Sequence, residues 1–524
     1  MKKLPIGIQD FKDIIENNYL YIDKTEYIYD MINNGKVYFL SRPRRFGKSL
    51  TISTLYYLFR GERELFKDTW IHDHWDWKER PVVKMSMSDV NTTNAATVHD
   101  SIVFHLKKIY EAYNLEISSE DLKLMFSDLL IKLSKKGKIV VLIDEYDKPI
   151  LDHLHEPEQA REIRNVLRIF YSSLKDADPY LEFVLLTGIT KFTKTGVFST
   201  LNNLHDISTS YKYSQMLGYT QEELDDYFVD YMTEAEAFLD IEKEELKSEI
   251  KNFYNGFSFD GREFVYNPFS ILNFFANNEF GNYWVESGSP SFLIEYVKQH
   301  EIKPNKIIGN YINKLILSTY EIETAPPVSF LLQAGYLTFK GYDRYLGYLI
   351  DYPNKEVRDS FSELLMLSEY HLSDYDSNDI RLNIFDALKR RNFEKLFLQM
   401  KRTLSNIPYT LFEPKEEFET EEDFTRKREG FYHSIILTMF WAAGVNVKAE
   451  ELSNLGRSDL ILTFEDDIYI IELKKQKAEK SIQQILEKGY AGKYSGNIFI
   501  AGIEIDDDKR NLGSYVFQQE KGNE

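Results

Sequence analysis

The sequence predicts an α/β fold in two parts: a mostly parallel sheet between helices in the N-terminal part, and a smaller α/β unit near the C-terminus. Three observations carry that prediction. Val37-Tyr38-Phe39-Leu40 is a short apolar strand running into a basic loop that ends Gly47-Lys48-Ser49, after which Leu50-Thr51-Ile52 open a helical pattern. Ile139-Val140-Val141-Leu142-Ile143 is an unbroken apolar run ending in Asp144-Glu145, the pattern of a strand buried on both faces. Near the C-terminus, Leu460-Ile461-Leu462 follows Asp459, and Ile468-Tyr469-Ile470-Ile471 leads into Glu472-Leu473-Lys474.

The first strand and its loop have the context of a phosphate-binding P-loop. Backbone N–H groups at the helix N-terminus face the phosphates, Lys48 supplies a mobile positive charge and the Ser49 hydroxyl can hold Mg²⁺. Arg44, Arg45, Phe46, Gly47 and Leu50 complete the candidate nucleotide-binding loop. A generic motif would have Gly where this chain has Arg42. A strand around Val82-Val83-Lys84-Met85 and a helix from Ala96 to Tyr113 come next. At the end of the unbroken strand, Asp144 is placed to join a Mg²⁺ shell and Glu145 to polarise an attacking water. Leu181 to Gly188 reads as a further strand, with Thr187 either a γ-phosphate contact or a plain strand cap. The polar loop Ile189 to Lys194 follows it. Arg161, Arg164 and Arg168 share a helix face, as arginine fingers or as a salt-bridged surface.

Beyond Leu217 the pattern turns helical, and Thr220 with Glu223 forms a capping box. Tyr254-Asn255-Gly256-Phe257 and Tyr266-Asn267-Pro268-Phe269 are aromatic-rich turns. Ala334 to Phe339 and Tyr345 to Ile350 read as a hairpin, which suits a winged-helix-like lid. The expected divisions are 1–215 for the nucleotide core, 216–365 for the lid, 366–425 for a helical linker and 426–524 for the C-terminal domain. The linker ends in the acid-rich run Glu413 to Asp423.

In that last domain a helix from Glu429 to Ala443 precedes a strand at Val445 to Glu450. A short turn, Phe464 to Asp467, would pair the next two strands and bring Asp459 beside Glu472. Glu472 and Lys474 are two apart and share a face. Two repelling acids favour a divalent cation, which could lower the pKa of a water while the lysine orients or deprotonates it. That is the chemistry of phosphodiester hydrolysis. Glu429 and His433 lie one helical turn apart upstream and could face the same site, though His433 reads as structural or peripheral. A helix from Lys480 to Tyr490 and a strand at Asn497 to Ala501 follow.

Composition sets outer limits. A chain of 524 residues is too long for one core, so two to four domains are expected. The net charge of −20 repels nucleic acid in bulk, so a polynucleotide site must be a local basic patch. The absence of cysteine excludes disulfides, thiolate nucleophiles and Cys-based zinc sites. Two early lysines have no apolar stretch behind them, so no signal peptide is expected. No apolar run reaches about 18 residues, so neither is a membrane span. A cytoplasmic protein is the expectation.

With these motifs in view, the chain resembles a two-part bacterial family: an AAA-ATPase-like domain followed by a PD-(D/E)XK nuclease-superfamily domain. The first resemblance rests on Tyr21-Ile22-Asp23-Lys24-Thr25, on the run Arg42 to Ser49, on Leu142 to Asp147 and on Phe198 to Leu204. Tyr266-Asn267-Pro268 and Pro353-Asn354-Lys355-Glu356-Val357-Arg358 extend it. The second rests on Asp459, Glu472-Leu473-Lys474, Gln484 and Tyr490 in an αβββαβ order. It implies a P-loop NTPase sheet and a restriction-endonuclease-like fold, with Asp459 and Glu472 as metal ligands and Lys474 as a catalytic residue. Ser458 stands where the nuclease signature has proline. The implied function is an ATPase that gates a metal-dependent nuclease, using ATP and Mg²⁺, or Mn²⁺ at the nuclease site. Nucleic acid, DNA before RNA, is the expected partner. A homo-oligomer is left open, and no membrane is implied. The alternative is a nucleotide-driven switch whose nuclease-like domain only binds nucleic acid or a protein.

Overall fold

The computed structural model describes residues 1–191, 203–286, 307–313, 326–368, 374–408, 411, 421–449, 459–487 and 496–520. Two compact units divide the chain, one from Met1–Phe292 and Ile307–Glu356, the other mainly from Val357–Glu524.

The first unit is built on a five-stranded sheet of β1 (Val37–Ser41), β2 (Val82–Ser86), β3 (Ile139–Asp144), β4 (Leu181–Gly188) and β5 (His205–Asp206), in the order β2-β3-β4-β1-β5. Every pairing in it is parallel. β1 and β3 are buried at every position, as their apolar runs require of strands covered on both faces. Helices Lys48–Phe59, Ala95–Ala112, Leu122–Ser134 and Pro157–Asp176 supply the cover. Strand β4 lies between β1 and β3, with Ser41 opposite Gly188 and Ile143 opposite Leu186. The C-terminal ends of the three strands therefore finish at one edge, where the strand order doubles back and ligands of such sheets bind.

After the sheet the chain is helical. Thr220 forms the expected capping box with Glu223, and Asn267 caps helix Pro268–Asn277, whose first residue is proline. Phe228, Tyr254, Phe274 and their neighbours share one apolar core with Leu20 and Ile22 from the N-terminal segment. The hairpin lies further along than the sequence pattern suggested. Ala334 closes helix Pro327–Ala334, and Gly335 at φ +92° ends it. The strands are β7 (Thr338–Asp343) and β8 (Gly347–Asp351), with the short β6 (Tyr311–Ile312) on the other edge of β8. Tyr345 and Leu346 thus occupy the turn, because the Asp343 carboxylate accepts hydrogen bonds from both of their N–H groups.

In the second unit a five-stranded sheet runs β13-β12-β11-β10-β9, from β9 (Asn446–Ala449), β10 (Asp459–Phe464), β11 (Asp467–Lys474), β12 (Asn497–Asp506) and β13 (Asn511–Glu520). Only the β11–β12 pairing is parallel. Helix Ala478–Glu487 packs on β12 through Gly502, where a Cβ would fall 2.3 Å from the Ala478 carbonyl oxygen. Helices Asp374–Lys389 and Phe393–Asn406 come from the segment expected as a linker. The second is built into this unit: Phe393 stacks on Phe517 at 4.4 Å, and Asn511 donates to the Lys401 carbonyl. Strand β13, which the αβββαβ reading lacked, forms the outer edge. Ser458, Tyr490, the segment Phe192 to Asn202 and most of the acid-rich run lie outside the described residues.

Candidate functional sites at two strand edges

The P-loop turn bends through two left-handed residues, Arg45 at φ +65° and Gly47 at φ +86°, before helix Lys48–Phe59 begins. Such turns aim successive N–H groups into one concavity, a nest for an anion. Lys48 opens that helix and is buried, its ammonium donating to the Arg42 and Pro43 carbonyls at 2.9 and 2.8 Å. Burial pulls its pKa below the ordinary lysine value, and the charges of Asp144, Glu145 and Asp147 oppose that shift.

Asp144 stands at the end of β3 and accepts from the Thr187 hydroxyl at 2.5 Å and from the Glu145 N–H at 3.0 Å. Thr187 itself is wholly buried, so its hydroxyl is committed to Asp144. Glu145 sits in a left-handed turn at φ +50°, a costly conformation for a non-glycine residue that clusters at functional sites. Burial, reinforced by the Asp144 charge, raises its pKa.

Next to these groups lies a cavity of ≈ 410 Å³. Arg44, Arg45, Phe46, Gly47, Lys48, Ser49 and Leu50 border it on one side and Glu145 on another. Its remaining walls were not read from the sequence. Ile8, Gln9 and Ile22 form one, and Tyr219, Phe269 and Leu272 another. The N-terminal wall is tied to the P-loop helix, because Ser53 accepts from the Phe11 N–H and donates to Asp10. Lys24 joins both walls: its ammonium meets Glu223 at 2.5 Å and donates to the Gln215 carbonyl at 2.8 Å. This gives the Tyr21-to-Thr25 motif a place in the fold.

Two further motif residues were given no role by the sequence. Arg42 is 1% exposed, donates to the Ser41, Ser208 and Tyr213 carbonyls, and lies 3.9 Å over the Phe259 ring. Burial lowers its pKa to about 9. It braces the loop from beneath. Asp147 accepts from the Ile189 N–H, the Thr190 N–H and the Thr190 hydroxyl, all on one oxygen. Together with the Tyr146 hydroxyl, which donates to the Thr190 carbonyl, it fastens the loop after β4 to the β3 turn. An acid three residues past the end of a buried strand was the available signal. Arg161 and Arg168 are exposed on helix Pro157–Asp176, with Arg164 half-buried between them.

At the second edge, Asp459 pairs with Glu472 at one register position of β10 and β11. Glu472 is completely buried, and Gly502 is its neighbour on β12. Lys474 lies two residues on, with its ammonium 3.7 Å from Glu429 Oε2. The other Glu429 oxygen accepts the Lys475 N–H at 2.8 Å, so helix Glu421–Ala442 does bring Glu429 to this edge. His433 is buried within the same helix and Gln484 is half-buried in the next. Among the described residues no three acids or histidines gather as a metal cage, and the Asp459 side chain is not among those described. Glu472 presents a fully buried carboxylate at this register position, and hard divalent cations suit oxygen donors of that kind.

These features define an ATPase-like P-loop domain joined to a nuclease-like domain. A family model described as "Predicted AAA-ATPase" matches residues 5–198, and one described as "PD-(D/E)XK nuclease superfamily" matches residues 427–515. Over 99% of both chains the sequence is 35% identical to the "Uncharacterized protein in vnfD 5'region" of Azotobacter chroococcum mcd 1, and the chain belongs to that protein's family. No solved structure matches. Among the described residues no helix is long and apolar enough to cross a membrane.

Proposed function

We propose that this protein binds and hydrolyses ATP at the first edge and cleaves nucleic acid at the second, with ATP turnover gating cleavage in the cytoplasm. The observation that carries the ATPase reading is the convergence of Lys48, Asp144 and Glu145 where β1, β4 and β3 end beside the cavity. Lys48 leaves its two carbonyl partners for the β- and γ-phosphates, while the nest N–H groups cradle them. Ser49 and Asp144 would hold Mg²⁺, which supplies charge neutralisation on the phosphate oxygens. Thr187 keeps Asp144 oriented, and Glu145 takes a proton from the attacking water.

At the second edge, Asp459 and Glu472 would hold Mg²⁺ or Mn²⁺, which supplies an acidified water and a charge clamp. Lys474 orients that water, and Glu429 positions Lys474. DNA is the expected substrate. The net charge of −20 favours one competing reading, a switch whose nuclease-like domain cuts nothing.

Two variants test the assignment. Lys48→Ala should abolish nucleotide binding in a fluorescent-ATP titration, because it removes the cation that opens the P-loop helix beside the left-handed turn. Glu472→Ala should lose cleavage and keep ATP hydrolysis. Unchanged ATP affinity in the first, or undiminished cutting by the second, would show that the corresponding site is misplaced.

A further inference from the structure

The P-loop carries three arginines, and the structure gives each a different posture. Arg42 is buried beneath the loop on backbone carbonyls. Arg45 is exposed, with its guanidinium 4.8 Å from the Phe269 ring centroid. Arg44 is half-buried where the loop borders the cavity, together with Lys48, Ser49 and Glu145. Burial dominates the pKa shifts of Lys48 and Glu145, and the Arg44 charge acts on both, deepening the first and opposing the second. The guanidinium therefore lies within electrostatic reach of the loop lysine and of the acid across the cavity from it.

The backbone that carries Arg44 is fixed on both sides. The Trp284 indole N–H donates to the Arg44 carbonyl at 3.1 Å. Trp284 is itself held: its backbone N–H donates to the buried Glu356 carboxyl at 2.7 Å, and the Ser270 hydroxyl donates to the same group. One residue earlier, Pro43 packs against Gly335, which at φ +92° has no Cβ to meet the Pro43 Cβ 2.7 Å away. An arginine on so constrained a loop gives up little freedom when it meets a phosphate. The helix-borne arginines Arg161, Arg164 and Arg168 do not border the cavity. Lys148, three residues past Glu145, pairs with Asp152 one turn along its own helical segment.

We propose that Arg44 is a catalytic residue of ATP hydrolysis, a cation that the P-loop itself supplies to the terminal phosphate. This role rests on the ATPase reading of the first edge and names the side chain that meets the γ-phosphate oxygens. In the step, the water oxygen bonds to the γ-phosphorus, one water proton passes to Glu145 and the other stays on the phosphate. The bond from that phosphorus to the β–γ bridging oxygen breaks, and ADP leaves with its electron pair. The Arg44 guanidinium keeps all its protons and donates hydrogen bonds to the γ-phosphate oxygens, over which negative charge is spread in the transition state.

The test compares the full-length parent, Arg44→Ala and Arg44→Lys in Mg²⁺. Three readouts are taken: ATP turnover, fluorescent-ADP titration, and trapping of ADP with aluminium fluoride, a mimic of the phosphoryl group in transfer. Arg44→Ala should lower kcat at least ~100-fold, bind ADP as the parent does and fail to trap the aluminium fluoride complex. Arg44→Lys should recover part of the trapping, since it keeps the charge without the two-pronged donor. Unchanged kcat in Arg44→Ala would overturn the proposal. So would a parallel loss of ADP binding and turnover in both variants, which would make Arg44 a brace of the loop like Arg42. A parent that hydrolyses no ATP would overturn the ATPase reading and Arg44's role with it. Turnover that survives Arg44→Ala but not Lys148→Ala would remove Arg44 alone and leave that reading standing.

Discussion

At the scale of single residues, Glu145 carries the sharpest prediction. Burial and the Asp144 charge raise its pKa, and a general base works only when ionised. ATP turnover should therefore rise with pH along a limb above the ordinary value of 4.5. Glu145→Gln should bind ATP and turn it over at least ~100-fold more slowly, without that limb. A kcat–pH profile of both proteins checks this, and a parent limb at the ordinary glutamate value would contradict it. The gathering of Lys48, Ser49 and Glu145 beside one cavity, with Asp144 at the strand end next to them, was legible because nucleotide chemistry calls for those residue types at those spacings. The roles of Arg42 and Asp147, both inside the motifs, were not, because each is spent on backbone groups distant in sequence, such as the Tyr213 carbonyl and the Thr190 N–H. Spacing along the chain carries no record of such partners.

Among the elements, helix Lys355–Ser368 begins with a buried acid. Burial raises Glu356 to about 8, against hydrogen bonds from the Trp284 N–H and the Ser270 hydroxyl. The folded state thus holds a proton that the unfolded chain gives up near 4.5. Stability tied to Glu356 is whole below that value and is lost as pH rises through about 8. Glu356→Gln should remove this decline, leaving the variant about 5 kcal/mol more stable than the parent above that range. Urea unfolding in acidic and alkaline buffer measures it, and parallel pH slopes would refute it.

Gly502→Ala should cost ~1–3 kcal/mol, because the helix it faces presents backbone atoms at 2.3 and 2.8 Å from the new Cβ. A thermal melt no lower than the parent's would contradict that close approach. The pairing of Asp459 with Glu472 could be read in advance, since two apolar runs and a tight turn leave one register. Strand β13 could not. Its mostly half-buried residues, from Leu512 to Gln519, lack the unbroken apolar run that marks β11 and β12.

Across the whole molecule, each unit carries its own sheet and its own cluster of charged residues at strand ends. The parallel sheet was legible from runs such as Ile139 to Ile143, whose burial on both faces leaves few other folds. The cavity walls were not, because they join Ile8 and Ile22 to Phe269 and Leu272, which only the folded chain brings together. In the proposed reading the second edge cleaves phosphodiesters under control of the first. The most direct measurement is cleavage of single-stranded DNA, double-stranded DNA and RNA with Mg²⁺ or Mn²⁺, with and without ATP, by the parent and by Glu472→Ala. Cutting should need the metal, respond to ATP and vanish in the variant. ATP hydrolysis with no cleavage under any of these conditions would contradict it and leave a nucleotide-driven switch in its place.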